Sequence, residues 1–108
     1  MKMISKAKTE NLLDYMQSMK PSVHIPPAED ERVREAVTEA LKTCRFGKVA
    51  EVTRRIMAGQ SVEEVCAELK IDRWQVNMCL GEFYTTWEKL YESKLNREAK
   101  NRADKKWL

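Results

Sequence analysis

The stretch SVEEVCAELKIDRWQVNMCLGEF, residues 61–83, decides the fold, because it contains two helix starts eleven residues apart. Ser61 followed three residues later by Glu64 is a capping-box pattern, in which the Ser hydroxyl serves one free amide of the first turn and the carboxylate serves another. Asp72 followed by Gln75 repeats it. The first helix is short, Val62 to about Lys70. The second carries Val76, Cys79, Leu80, Phe83, Trp87 and Leu90 inward and is expected to run beyond Leu95. A short helix, a tight turn and a second helix with a free outer face make a helix-turn-helix. Val65, Cys66 and Leu69 answer Val76, Cys79 and Leu80, with small Cys66 at the close approach and Ile71 plugging the turn. Lys70 stands where such turns usually have Gly, so the spacing predicts a strained residue or a slightly different turn there.

Upstream, Val49, Val52, Ile56 and Met57 form an apolar stripe that stops at Gly59, a suitable helix end. Before it, Val33, Ala36, Val37, Ala40, Leu41 and Cys44 repeat at three-and-four spacing, with Glu29, Asp30 and Glu31 at the start and Gly47 as the break. A shorter stripe of Leu12, Leu13, Met16 and Met19 predicts a helix capped by Thr9. Pro21, Pro26 and Pro27, with Ser22 and His24 among them, then read as an extended linker, which makes the first helix a separate, mobile arm. The expected architecture is all-α: a small bundle of about five helices containing the helix-turn-helix and a long C-terminal helix. Residues 1–27 form the arm and linker, 28–95 the helix-turn-helix domain, and 96–108 a basic tail or helix extension.

A chain of 108 residues with 43% apolar content supports one modest core, and three Gly with three Pro leave few of the turns a β-sandwich needs. Cys44, Cys66 and Cys79 are an odd number without CxxC spacing and read as core thiols of a cytoplasmic protein. Lys2, Lys6 and Lys8 are followed by polar interruptions, so neither an export signal nor a membrane span is expected. The single His24 has no carboxylate or cysteine cluster near it in the sequence. Cys66 and Cys79 lack the further ligands zinc requires, and no P-loop, dinucleotide fingerprint or nucleophile elbow is present. The expectation is a protein with no catalytic site, no metal and no cofactor.

In the helix-turn-helix register, Arg73, Trp74, Gln75, Asn77 and Met78 form the outward start of the recognition helix. Arg pairs with guanine, Asn or Gln with adenine, and Trp or Met meets a thymine methyl; a good bidentate pair contributes about 1 to 3 kcal/mol of discrimination. Arg73 and Asn77 rank first as base contacts. Trp74 reads equally as a packing or dimer residue. The motif itself is acidic, with Glu63, Glu64, Glu68, Asp72, Glu82 and Glu88 against Lys70 and Arg73. Basic flanks reverse the sign: Lys42, Arg45, Lys48, Arg54 and Arg55 before it, and Lys89, Lys94, Arg97, Lys100, Arg102, Lys105 and Lys106 after it. Lys48, Arg55, Ser61 and Lys70 are the expected phosphate contacts. The C-terminal run, interleaved with Glu92, Glu98 and Asp104, reads equally as an ordinary solvated helix.

Met57-Ala58-Gly59-Gln60-Ser61, Glu64-Val65-Cys66 and Leu80-Gly81-Glu82-Phe83 give Lys48 to Leu90 a resemblance to bacterial fimbrial (adhesin) biosynthesis regulators. That resemblance implies a small helical protein that oligomerises on DNA and controls transcription of an operon, often its own. Arg73-Trp74-Gln75-Val76-Asn77 through Phe83-Tyr84-Thr85-Thr86-Trp87-Glu88 also resembles plasmid repressors of the Kor type. The expected protein is thus a homodimeric regulator, a repressor or modulator acting on double-stranded DNA, with Phe83, Tyr84, Trp87 and Tyr91 as the dimer interface unless they form the monomer's own core. The rival is a phage- or plasmid-encoded module that binds a host protein through the same fold, its acidic surface repelling DNA.

Overall fold

The computed structural model describes residues 4–44 and 47–106, the last six by their backbone alone. Five helices follow one another: α1 (Lys6–Met19), α2 (Glu31–Thr43), α3 (Val49–Met57), α4 (Val62–Leu69) and α5 (Arg73–Lys106), with no strand among the described residues. The all-α expectation holds. No helix there is long and apolar enough to cross a membrane.

Local chemistry sets each boundary. Ser5, not Thr9, caps α1, its hydroxyl accepting from the Lys8 amide at 3.3 Å. Thr9 is buried one turn inside, where its hydroxyl satisfies itself on the Ser5 carbonyl at 2.9 Å. Asp30 caps α2 through the Arg32 amide at 2.9 Å. α3 ends in a Schellman motif: Gly59 takes φ +97°, its N–H reaches the Ile56 carbonyl at 3.0 Å, and the Gln60 N–H reaches Arg55 at 3.1 Å. The Ser61–Glu64 capping box then opens α4 with both of its bonds made.

The turn between α4 and α5 resolves the missing glycine. Lys70 itself adopts the left-handed conformation, φ 55° and ψ 49°, and the Ile71 N–H closes onto the Cys66 carbonyl at 3.1 Å. A residue with a Cβ bears about 1–2 kcal/mol of strain there. Val65, Val76 and Leu80, all fully buried in one apolar cluster, hold the turn shut.

The N-terminal helix is not a free arm. Leu12 and Met16 are fully buried and Leu13 nearly so, in one core with Val33, Val37, Val52, Met57 and Phe83. Burying three such side chains stabilises the fold by roughly 1.5–3 kcal/mol each, far more than a dangling helix could forgo. Asn11 donates to the Met57 carbonyl at 2.9 Å, and the Lys20 ammonium lies over the Tyr84 ring, 4.9 Å from its centroid. The proline linker is tied back by Gln17, whose side-chain amide reaches the Val23 carbonyl at 2.6 Å. The helix therefore belongs to the same folded unit as residues 28–95.

The aromatic face of α5 is interior, which corrects the expected dimer interface. Phe83, Tyr84 and Trp87 are 0%, 4% and 2% exposed, covered by α1, α2 and α3 of the same chain. Tyr91 is half-buried and stacks on Trp87 with ring centroids 5.4 Å apart. These four side chains form the monomer's own core and its rim. Beyond them α5 continues as helix, not tail, and Lys94 and Glu98 fasten it to α2: Lys94 to Glu35 and Glu39 at 3.4 and 3.0 Å, Glu98 to Arg32 at 2.6 Å.

Candidate nucleic-acid interface

The start of α5 presents its two faces as the periodicity requires. Val76 and Leu80 are buried against α4, while Arg73, Trp74, Gln75, Asn77 and Met78 all lie on the exposed side. Trp74 is 67% and Met78 47% exposed, the two large apolar side chains left open to solvent among the described residues. With Ile71, Cys79, Lys48 and Glu82 they line a shallow hollow of about 300 Å³.

The polar members are partly spoken for. Gln75 completes half of the second capping pattern: its Oε1 accepts from the Asp72 amide at 3.1 Å, which turns that oxygen back toward the helix start and leaves its NH₂ free to donate. The Asn77 Oδ1 accepts from the hydroxyl of Tyr15 on α1. Arg73 sits 3.8 Å from Glu63 with both side chains more than two-thirds exposed, a loose pair that a phosphate or base could displace.

The four expected phosphate contacts divide. Lys48 and Lys70 are exposed and make no ion pair among the described residues, so their charge is free. Arg55 is not: it is half-buried and bridges Glu51, at 3.2 Å, and Glu68. Ser61 is also withdrawn, since its hydroxyl accepts from the Glu64 amide and donates to the Glu64 carboxylate, both at 3.2 Å, leaving a phosphate to meet a carboxylate. The same pairings soften the acidity of the motif. Glu68 is neutralised by Arg55 and Glu63 faces Arg73, leaving Glu64, Asp72 and Glu82 as acids of the motif without an ion pair among the described residues. Of the basic flanks, Arg54 and Lys42 are exposed, Lys94 is consumed by α2, and Arg45 lies outside the described residues, as do the side chains of Arg102, Lys105 and Lys106.

No family model, curated protein or solved structure matches this chain. The three cysteines are free and half-buried, and burial pushes the Cys79 thiol up, away from the reactive thiolate. His24 is exposed on the linker, and no group of three or more His, Cys, Asp or Glu side chains converges at metal distance among the described residues.

Tyr15 is the residue that sequence reasoning missed. It is half-buried on α1, its neighbours include Arg73, Glu63 and Cys66, and its phenol is pushed up by burial, so it stays protonated and able to donate. Nothing local marks it: the partner lies 62 residues away, and a tyrosine on an amphipathic helix reads as ordinary packing.

Proposed function

We propose that the protein is a cytoplasmic, sequence-specific DNA-binding transcriptional regulator, a repressor or modulator of a bacterial or mobile-element operon. The observation that carries this reading is the start of α5: its outward positions, Arg73, Trp74, Gln75, Asn77 and Met78, offer base-reading side chains while Val76 and Leu80 hold the helix to α4. Lys48 beside Trp74, and Lys70 in the preceding turn, supply free positive charge for the phosphates. The resemblance of Lys48–Leu90 to fimbrial biosynthesis regulators, and of Arg73–Glu88 to Kor-type repressors, is in keeping with this proposal. One recognition helix makes few contacts, so two copies on adjacent half-sites are expected, meeting through a surface other than the buried Phe83, Tyr84 and Trp87.

A second reading has its own observation. Trp74 and Met78 make an exposed apolar pair in a hollow rimmed by Lys48 and Glu82, which also suits a partner protein with an apolar surface and charges of both signs around it. Selection from random duplex pools at low and near-physiological salt separates the two. Enrichment of a motif that is lost in Arg73→Ala, with folding intact, supports the regulator; no retention of duplex even at low salt rejects it in favour of the protein partner.

A further inference from the structure

Two residues of α1, Asn11 and Tyr15, lie one helical turn apart and both bond across to later helices. Asn11 fixes α1 to the end of α3 at the Met57 carbonyl, beside the left-handed Gly59. With that anchor in place, Tyr15 reaches the exposed face of α5 and donates to the Asn77 Oδ1. An exposed asparagine otherwise turns its amide freely and offers a donor or an acceptor on demand. In this structure the Asn77 oxygen is turned to the Tyr15 phenol.

Resting on the DNA-binding reading above, we infer that Tyr15 is a positioning residue that sets the orientation of the Asn77 amide and thereby the base it selects. With Oδ1 turned to the phenol, the NH₂ of Asn77 faces outward as a donor. A free asparagine reads adenine bidentately, accepting from N6 and donating to N7. An asparagine whose oxygen is already shared with a phenol has one lone pair left and its whole NH₂, which favours a base edge built of acceptors, and guanine, with N7 and O6, has two. The first helix, which contributes core residues Leu12 and Met16, is thus also part of the reading surface.

The test uses the full chain, its Tyr15→Phe variant and its Asn77→Ala variant, each taken through selection from random duplex pools. Tyr15→Phe keeps the ring and removes only the hydroxyl. The wild type is expected to prefer guanine at the base pair whose preference disappears in Asn77→Ala. In Tyr15→Phe that preference shifts toward adenine, by on the order of tenfold in the guanine-to-adenine ratio, while the other positions and the thermal midpoint stay as they were. A structural role for Tyr15 alone would lower affinity for every sequence equally. An adenine preference in the wild type, or an unchanged guanine preference in Tyr15→Phe, overturns the inference. Wild-type protein that enriches no sequence overturns the DNA-binding reading and this inference with it, and does so before any variant is compared. Side-chain amide NMR of the free protein adds a readout without DNA: the Asn77 NH₂ signals are expected to move in Tyr15→Phe, and unmoved signals overturn the proposed geometry.

Discussion

The indole N–H of Trp87 donates to the main-chain carbonyl of Val33 at 3.2 Å, inside the seam where α5 packs on α2. The ring is 2% exposed and stacked on Tyr91, so one side chain ties together the two helices that share the most surface. Trp87→Phe is expected to cost roughly 1–3 kcal/mol, the sum of a lost hydrogen bond and an imperfectly filled space, and Trp87→Ala about 3–5 kcal/mol. Urea denaturation checks both. An interface role would instead leave the monomer's midpoint unchanged and alter its sedimentation.

Lys70→Gly separates stability from binding. Glycine relieves the left-handed strain at φ 55° but loses more freedom on folding, and the balance is a gain of about 0.5–1 kcal/mol. The same change removes a free cation beside the recognition helix. The expected variant is therefore more resistant to urea and weaker on DNA; a loss of stability would mean that the lysine side chain contributes packing that its exposed position does not suggest.

Acid should loosen the start of α2. The Arg32 guanidinium beside Asp30, together with the Arg32 amide and the Tyr91 hydroxyl, holds the Asp30 carboxyl below its ordinary value, against a smaller opposing effect of burial. A folded-state pKa below the unfolded one stabilises the protein fully above about pH 4, and the benefit fades as pH falls through the lower folded value. Asp30→Asn retains a capping oxygen but not the charge. Its deficit relative to wild type is expected to be largest near pH 7 and to shrink toward about pH 3 in parallel denaturation curves.

What the sequence made legible was local. The Ser61–Glu64 box, the Gly59 stop and the exposed face at the start of α5 each follow from chemistry within four or five residues, and each is where the spacing put it. The left-handed Lys70 was foreseeable as one of two outcomes. One misreading was local, Thr9 for Ser5 as the cap of α1; the larger ones were tertiary. Periodicity identifies the apolar face of α5 but not what covers it, so Phe83, Tyr84 and Trp87 read as an interface while α1 read as an arm; the two errors are one, because α1 helps cover that face. Arg55 looked free for phosphate because Glu68 comes within reach only once the turn is closed, whereas the withdrawal of Ser61 was already contained in its own capping box.

Removing one cation that touches a phosphate lowers the salt slope of DNA binding by about one. Lys48→Gln and Lys70→Gln are each expected to do this, weakening all sequences alike, because both ammonium groups are exposed and free of carboxylates among the described residues. Arg55→Gln is expected to leave the slope unchanged, since its charge is already taken by Glu51 and Glu68. That substitution also frees two carboxylates near the site, which repel the duplex and weaken binding without removing a phosphate partner. Titrations of one duplex over a range of salt concentrations measure all three slopes, and a fall of about one in Arg55→Gln would mean that the bridge opens on DNA and that Arg55 belongs to the interface after all.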